Sequence, residues 1–349
     1  MLFTPFQLGR ITLPNRIVMA PMTRSRAYGN IPSADVATYY ASRASAGLLI
    51  TEGTSPSPNG LGYSRIPGLY NQAHTDGWKL VTDAVHAAGG RIFIQLMHTG
   101  RISHRDNLPQ GARTLAPSAI TAPGKIHTDT QGQVEHDTPA EMSRDDIAIA
   151  IDEFAHAAKL AIQAGADGVE LHGANGYLIE QFLNGGANHR TDAWGQREKF
   201  AIDVATAVAQ TIGADRTGIR ISPYGVNGGL TSDELTDSTY LGLAKALSKL
   251  GLVYTHIVDH SSLGAPKLPD GIRDGIREAF TGAYILSGGY DRARAEADLE
   301  ARRGDLVAFG RPFLGNVDLV AKLRAGTPLL PPPDMALWFA PGTKGYLEL

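Results

Sequence analysis

The run Gly168-Val-Glu-Leu-His172-Gly-Ala-Asn175-Gly-Tyr177 decides how the rest of this chain is read. Its first half is a short apolar run of the kind that forms a strand buried on both faces. Its second half is a loop carrying a histidine, an asparagine and a tyrosine. With Val169–Leu171 as strand, His172 stands at the C-terminal end, and Asn175 and Tyr177 lie just beyond it. Imidazole and amide offer two hydrogen-bond donors to a small polar atom, and the phenol is a proton source beside them. A strand histidine on its own is more often a packed core residue; the Asn175 and Tyr177 that follow favour chemistry. A zinc half-site at His172 finds no acidic or histidine partner at ligand spacing.

Working outward, similar apolar runs recur along the chain: Ile17–Ala20, Leu48–Glu52, Ile92–Met97, Gly168–His172, Gly218–Ser222, Tyr254–Asp259, Ile285–Gly288 and Leu306–Gly310. Amphipathic stretches separate them. One carries Ile147, Ile151, Phe154, Ala158 and Ile162, starts near Ser143 and stops at Gly165; another carries Trp78, Val81, Val85 and Ala88 and ends at Gly89-Gly90. Eight strands that alternate with helices predict an α/β fold, a (β/α)8 TIM barrel. A doubly wound sheet is the second choice, and the early G-x-G-x-x-G turn it calls for is missing. Met1–Arg16 precedes the first strand and holds Leu8–Leu13, read as a hairpin lid on the barrel bottom. Residues 98–140, rich in Pro, Gly, Thr and Ser, form an inserted segment after strand 3, expected to cap the C-terminal face. Residues 327–349 are read as an ordered C-terminal arm because they carry Trp338, Phe339 and Tyr346. The whole of 1–349 is expected to be a single domain.

Composition narrows the chemistry. The 349 residues carry 32 Lys and Arg against 35 Asp and Glu, a net charge of −3, with no basic run. That balance gives no sign of a nucleic-acid or membrane partner. Cysteine is absent, which excludes disulfides, thiolate nucleophiles, iron–sulfur clusters and cysteine zinc sites. No signal-like or membrane-length apolar window occurs, so the expected location is cytoplasmic.

In a barrel the strand ends on one face converge into one site. They bring together Ala20-Pro-Met-Thr23, Glu52-Gly53, Gln95, His172 with Asn175 and Tyr177, Arg220, Gly288-Gly289 and Gly310-Arg311. Glycine backbone N–H groups on the last two strand ends, with Arg311, suit a phosphate. Gln95 and Arg220 lie within apolar strands, where an unpaired polar group is costly. A flat heterocycle with an amide-like edge would use both, Gln95 bonding its edge and Arg220 holding negative charge on the reduced ring. The plainer alternatives are a tight turn at the glycines, a satisfied amide at Gln95, and an ion pair of Arg220 with a barrel carboxylate such as Glu52.

These residues sit in motifs that resemble the Old Yellow Enzyme family of FMN-dependent ene-reductases over essentially the whole chain. The motifs are Ala20-Pro-Met-Thr-Arg24, Gly47-Leu-Leu-Ile-Thr-Glu-Gly-Thr54, Gln95-Leu-Met-His-Thr-Gly-Arg101, Gly165 to Leu178, Asn188-His-Arg-Thr-Asp192 and Phe309-Gly-Arg-Pro312. The resemblance implies tightly bound, non-covalent FMN, NADPH or NADH as reductant, and the activated C=C bond of enones, enals, maleimides or nitroalkenes as substrate. It implies that Thr23 bonds the flavin carbonyl near its reactive nitrogen, while Ala20, Pro21, Met22 and Gly53 line the ring. Gln95 and Arg220 would hold the pyrimidine half, and Gly288, Gly289, Gly310 and Arg311 the phosphate. His172 and Asn175 would bond the substrate oxygen, hydride would reach the β-carbon from reduced flavin, and Tyr177 would protonate the α-carbon. Tyr63, Met97 and Phe339 would line the substrate pocket, with the protein a monomer or homodimer.

The chain departs from the family pattern at three places. Met97 stands where many relatives carry tryptophan, Phe339 where tyrosine is frequent, and the segment around residues 193–198 is shorter. That last change is expected to lie near the His/Asn pair. Two other functions stay open from sequence: a flavin-free barrel acting on a phosphorylated metabolite through Arg311, and a flavin-binding module without turnover.

Overall fold

The computed structural model describes residues 1–348. Eight parallel strands close into a barrel: β1 (Ile17–Met19), β2 (Leu48–Ile50), β3 (Ile92–Leu96), β4 (Gly168–Gly173), β5 (Thr217–Ile221), β6 (Tyr254–Val258), β7 (Ala283–Ser287) and β8 (Leu306–Phe309). Each pairs with its neighbour in sequence order, and β8 returns to β1 through Phe309 opposite Met19. The strand expectations are met, with ends differing by a few residues.

Side-chain alternation explains why these strands read as unbroken apolar runs. Ile17, Met19, Leu49, Ile92, Ile94, Val169, Leu171, Ile219 and Val307 pack outward with the helices. Val18, Leu48, Phe93, Tyr254, Ile285 and Leu306 form a second cluster within the barrel. Both faces are therefore apolar through the lower barrel, as a parallel strand under a helical layer requires. Gly218 is part of that filling, because a Cβ there would lie 2.3 Å from the Tyr254 ring. Higher up, the inward register turns polar: Gln95, Glu170, His172, Arg220 and His256 are all buried.

Helix α1 (Arg144–Gln163) follows the inserted segment and starts at a capping box, in which Asp146 N–H donates to Ser143 Oγ at 3.1 Å and Ser143 N–H donates to Asp146 Oδ2 at 2.9 Å. At the bottom, the antiparallel pair Phe6–Leu8 and Ile11–Leu13 seats Leu8 and Leu13 on the inner cluster, closing that end. At the top, residues 98–140 raise an antiparallel hairpin, Lys125–Thr128 against Gly132–Glu135. Asn107 Nδ2–H to His127 O (2.9 Å) and an Arg65–Asp129 ion pair tie it to the barrel loops.

The C-terminal arm is held by two buried arginines. Arg26 donates to the carbonyls of Leu337 (2.8 Å), Trp338 (2.8 Å), Gly342 (2.9 Å) and Lys344 (3.2 Å). Arg24 donates to Gly345 O at 2.8 Å, and Tyr346 stacks on Tyr39 with ring centroids 4.3 Å apart. The arm thus satisfies its backbone acceptors by charge-assisted bonds, and Trp338 and Phe339 come to the mouth of the barrel.

Candidate active site

A cavity of about 1120 Å3 opens over the C-terminal ends of the strands. Its wall unites most of the residues picked from sequence: Ala20, Pro21, Met22 and Thr23 after β1, Tyr63 after β2, Asn175 and Tyr177 after β4, and Arg220 on β5. Gly288 and Gly289 after β7, Gly310 and Arg311 after β8, and Phe339 of the arm complete it. Lys125, Ile126, His127 and Gln133 of the hairpin join from above. Gly53, Gln95, Met97 and His172 are buried one layer behind this wall. None of residues 193–198 lines the cavity. Arg197 pairs bidentately with Asp233 (2.8 and 2.7 Å), which pins the short segment to the loop after β5 instead.

Arg220 is the most informative side chain in the wall. It is 6% exposed, yet its Nε and Nη1 groups are buried without a hydrogen-bond partner among the described residues. Glu52 is not its counter-ion: that carboxylate accepts Arg24 N–H (3.0 Å) and Ser25 N–H (3.2 Å), and so fixes the loop that follows Thr23. Burial pushes the Glu52 carboxyl up to about 6. Beneath Arg220 lies a linked set of groups. Gln95 Nε2–H donates to Glu170 Oε1 at 2.8 Å, and His256 Nδ1 lies 2.8 Å from Glu170 Oε2. With its NH2 so engaged, Gln95 keeps its carbonyl for a donor on a ligand.

The glycines after β7 do more than turn the chain. Gly288 has φ +128 and Gly289 φ +63, and a Cβ on Gly288 would lie 2.2 Å from Asp259 O. Only glycine fits that close approach of two strand ends in this conformation.

The donor and proton groups stand across the cavity. Ala174 N–H donates to His172 Nδ1 at 3.3 Å, which leaves the imidazole proton on Nε2. Burial and the neighbouring Arg220 hold the His172 pKa well below the usual value, so the ring is a neutral donor. Tyr177 packs edge-on against it with centroids 4.8 Å apart, and its hydroxyl donates to Tyr63 OH at 3.2 Å. Burial raises the Tyr177 pKa, so the phenol keeps its proton at neutral pH. Met97, packed with Leu61 and Ile66, backs the Tyr63–Tyr177 pair.

Asn175 adopts a left-handed conformation, φ +60, held by a buried chain of bonds. Its N–H donates to Ser222 Oγ (3.0 Å), Ser222 donates to Glu180 Oε1 (2.6 Å), and Gly176 N–H donates to Glu180 Oε2 (2.6 Å). Tyr240 OH adds a bond at 3.0 Å. Gln181 fastens the same turn, donating to Gly176 O at 2.7 Å. Sequence reading missed Ser222, Glu180 and Tyr240 as site supports. The available signal was a carboxylate within the apolar run Leu178–Leu183, where burial demands donors.

Comparison with known proteins gives the family. The model of the NADH:flavin oxidoreductase / NADH oxidase family matches residues 1–329. The chain is 40% identical to 12-oxophytodienoate reductase 1 of Oryza sativa subsp. japonica over 338 residues, covering 94% of this chain and 87% of that protein. The structure of morphinone reductase superposes with a TM-score of 0.95 at 41% identity, covering 99% of this chain and 94% of the other. An Old Yellow Enzyme homologue from Zymomonas mobilis gives 0.94 at 38% identity, covering 99% and 98%. The chain therefore belongs to the NADH:flavin oxidoreductase / NADH oxidase family and is an NAD(P)H-dependent flavin oxidoreductase of the Old Yellow Enzyme type.

Proposed function

We propose that this protein is an FMN-dependent ene-reductase that uses NAD(P)H to saturate the activated C=C bond of small α,β-unsaturated carbonyl compounds or nitroalkenes. The observation that carries the reading is Arg220, a buried cation whose Nε and Nη1 groups have no partner among the described residues, in the same cavity wall as the Gly288-Gly289 cradle. A flat, anionic-edged ring with a phosphate tail answers both features. Arg220 and the Gln95 carbonyl would take the pyrimidine edge, Thr23 the carbonyl near the reactive nitrogen, and Gly288, Gly289, Gly310 and Arg311 the phosphate. Ala20, Pro21, Met22 and Gly53 would flank the ring. Bound FMN would supply the hydride-carrying chemistry between the nicotinamide and the alkene.

The protein's own groups do the rest. His172 and Asn175 donate to the substrate oxygen, which draws electron density from the alkene and makes its β-carbon electrophilic. Tyr177, held protonated by burial, gives its proton to the α-carbon, so that one hydride and one proton complete the saturation. For that transfer the Tyr177 O–H would turn from Tyr63 to the substrate, and Tyr63, 3.2 Å away, would donate to the phenol oxygen in its place. Phe339 would line the pocket, and Met97 would act on it from behind through the Tyr63–Tyr177 pair.

The test is an anaerobic visible spectrum of the purified protein, taken before NADPH, after NADPH, and after 2-cyclohexenone. A flavin band that bleaches with NADPH and returns with the enone supports both halves of the reaction. A band that bleaches without returning would refute alkene reduction, and absence of a band after added FMN would refute the flavin reading altogether.

A further inference from the structure

The donor that reaches the cavity wall is an amide, and an amide has two opposite faces. Asn175 can present either its NH2 or its carbonyl to a ligand, and rotation of the side-chain amide exchanges them. The backbone chain through Ser222 and Glu180 fixes where Asn175 sits but does not touch the amide. One side chain does. His260, on the loop after β6, places Nε2 2.7 Å from Asn175 Oδ1. With the Asn175 oxygen on this side the contact takes the Nε2–H tautomer of the imidazole; His260 Nδ1 makes no hydrogen bond among the described residues. His260 itself lines the cavity, while Asn175 Nδ2 makes no bond within the described protein. Burial, with Arg220 nearby, lowers the His260 pKa to about 4, so at neutral pH the ring is neutral and carries one N–H.

We infer that His260, as its Nε2–H tautomer, is a positioning residue that locks Asn175 with its NH2 toward the ligand, making the site selective for an acceptor oxygen. The inference rests on the ene-reductase reading and adds to it a determinant of substrate class. A carbonyl or nitro oxygen is accepted; a ligand presenting a donor at that point meets a second donor and is rejected. The physical content is a constraint on polarity: a histidine donating from Nε2 leaves only one amide face for the substrate.

Replacement of His260 by residues of opposite hydrogen-bonding sense tests this. In His260→Gln the side-chain amide extends to the Nε2 position and can still donate to Asn175 Oδ1. In His260→Glu the ionised carboxylate can only accept, so it takes the Asn175 NH2 and turns the carbonyl into the cavity. His260→Ala leaves the amide free to rotate. The protein is reduced anaerobically with dithionite and mixed with increasing 2-cyclohexenone while the return of the flavin band is followed, which separates enone affinity from the limiting rate.

The expected order of apparent Kd is wild type close to His260→Gln, then His260→Ala weaker by about 5- to 20-fold, then His260→Glu weaker still. Limiting rates should fall in the same order, because the amide N–H also activates the alkene, and flavin content should be unchanged in all four. His260→Glu equal to His260→Ala, or His260→Gln no better than His260→Ala, would overturn the inference by reducing His260 to packing. A wild type with no flavin band, or one whose band does not return, would instead defeat the ene-reductase reading itself.

Discussion

The substitution Arg220→Met tests the cofactor assignment by a change whose two effects have opposite sign. Methionine keeps an unbranched chain of similar length and removes the buried cation. Arg220 offers Nε and Nη1 without partners among the described residues, so a bound anionic ring edge gains two charge-assisted bonds. At ~1.5–3 kcal/mol each, the loss amounts to ~3–6 kcal/mol, a Kd for FMN weaker by ~10²- to 10⁴-fold. The flavin-free protein should respond the other way. Removing a buried charge with unsatisfied donors relieves a cost of ~1–3 kcal/mol, offset in part by lost attraction to Glu170. Linkage makes the contrast measurable: FMN at about 1,000 times its wild-type Kd stabilises the native state by about 4.1 kcal/mol, and after a ~1,000-fold loss of affinity by only about 0.4 kcal/mol. The assays are a fluorescence titration of FMN into deflavinated protein and urea unfolding with and without FMN. A Kd within about five-fold of wild type, or a flavin-free variant less stable by more than about 2 kcal/mol, would refute the reasoning. Either result would make Arg220 a brace for the Glu170 carboxylate.

Three further outcomes follow from the geometry. Gly288→Ala puts a Cβ 2.2 Å from Asp259 O at φ +128, so it should lower stability by ~2–4 kcal/mol and flavin content with it, read by thermal unfolding and the visible spectrum. Arg26→Ala removes the donor to four arm carbonyls; stability should fall by ~3–5 kcal/mol and limited proteolysis should cut within residues 327–348, whereas an arm that stays resistant would show other anchors suffice. Burial raises the Glu180 carboxyl from its usual 4.5 to about 7. Because the folded-state value is the higher one, the native state binds this proton more tightly. Its contribution is full below about 4.5 and is lost as pH rises through about 7. Glu180→Gln should therefore flatten that fall, by at most about 3 kcal/mol between pH 5 and 8 in denaturant unfolding; an unchanged pH profile would show that Glu180 does not titrate there.

Much of the site was legible because its residues are clustered in sequence. His172, Asn175 and Tyr177 fall within one strand end and its loop, and strand ends in a barrel must converge, so the sequence alone joins Arg220 and the glycines after β7 and β8 to them. The inward polar layer was legible for the same reason: Gln95 and Arg220 interrupt apolar strands at a cost that only a partner can offset.

What escaped was pairwise and long-range. Asn175 and His260 are 85 residues apart, and nothing in the composition of the loop after β6 marks which atom its histidine meets. The segment 193–198 is another case: sequence could not tell that Arg197 would pair with Asp233 on the loop after β5, leaving the segment outside the cavity wall.

The sequence by itself determined the barrel, the face that carries chemistry and the residue types on that face, because periodicity, strand order and the cost of buried polar groups are local or topological properties. Only the tertiary structure decided how those groups are oriented: which amide face Asn175 presents, which N–H groups of Arg220 remain for a ligand, and where the arm closes the mouth. Orientation depends on hydrogen-bond partners from distant strands at distances near 3 Å, and that information resides in the packed chain.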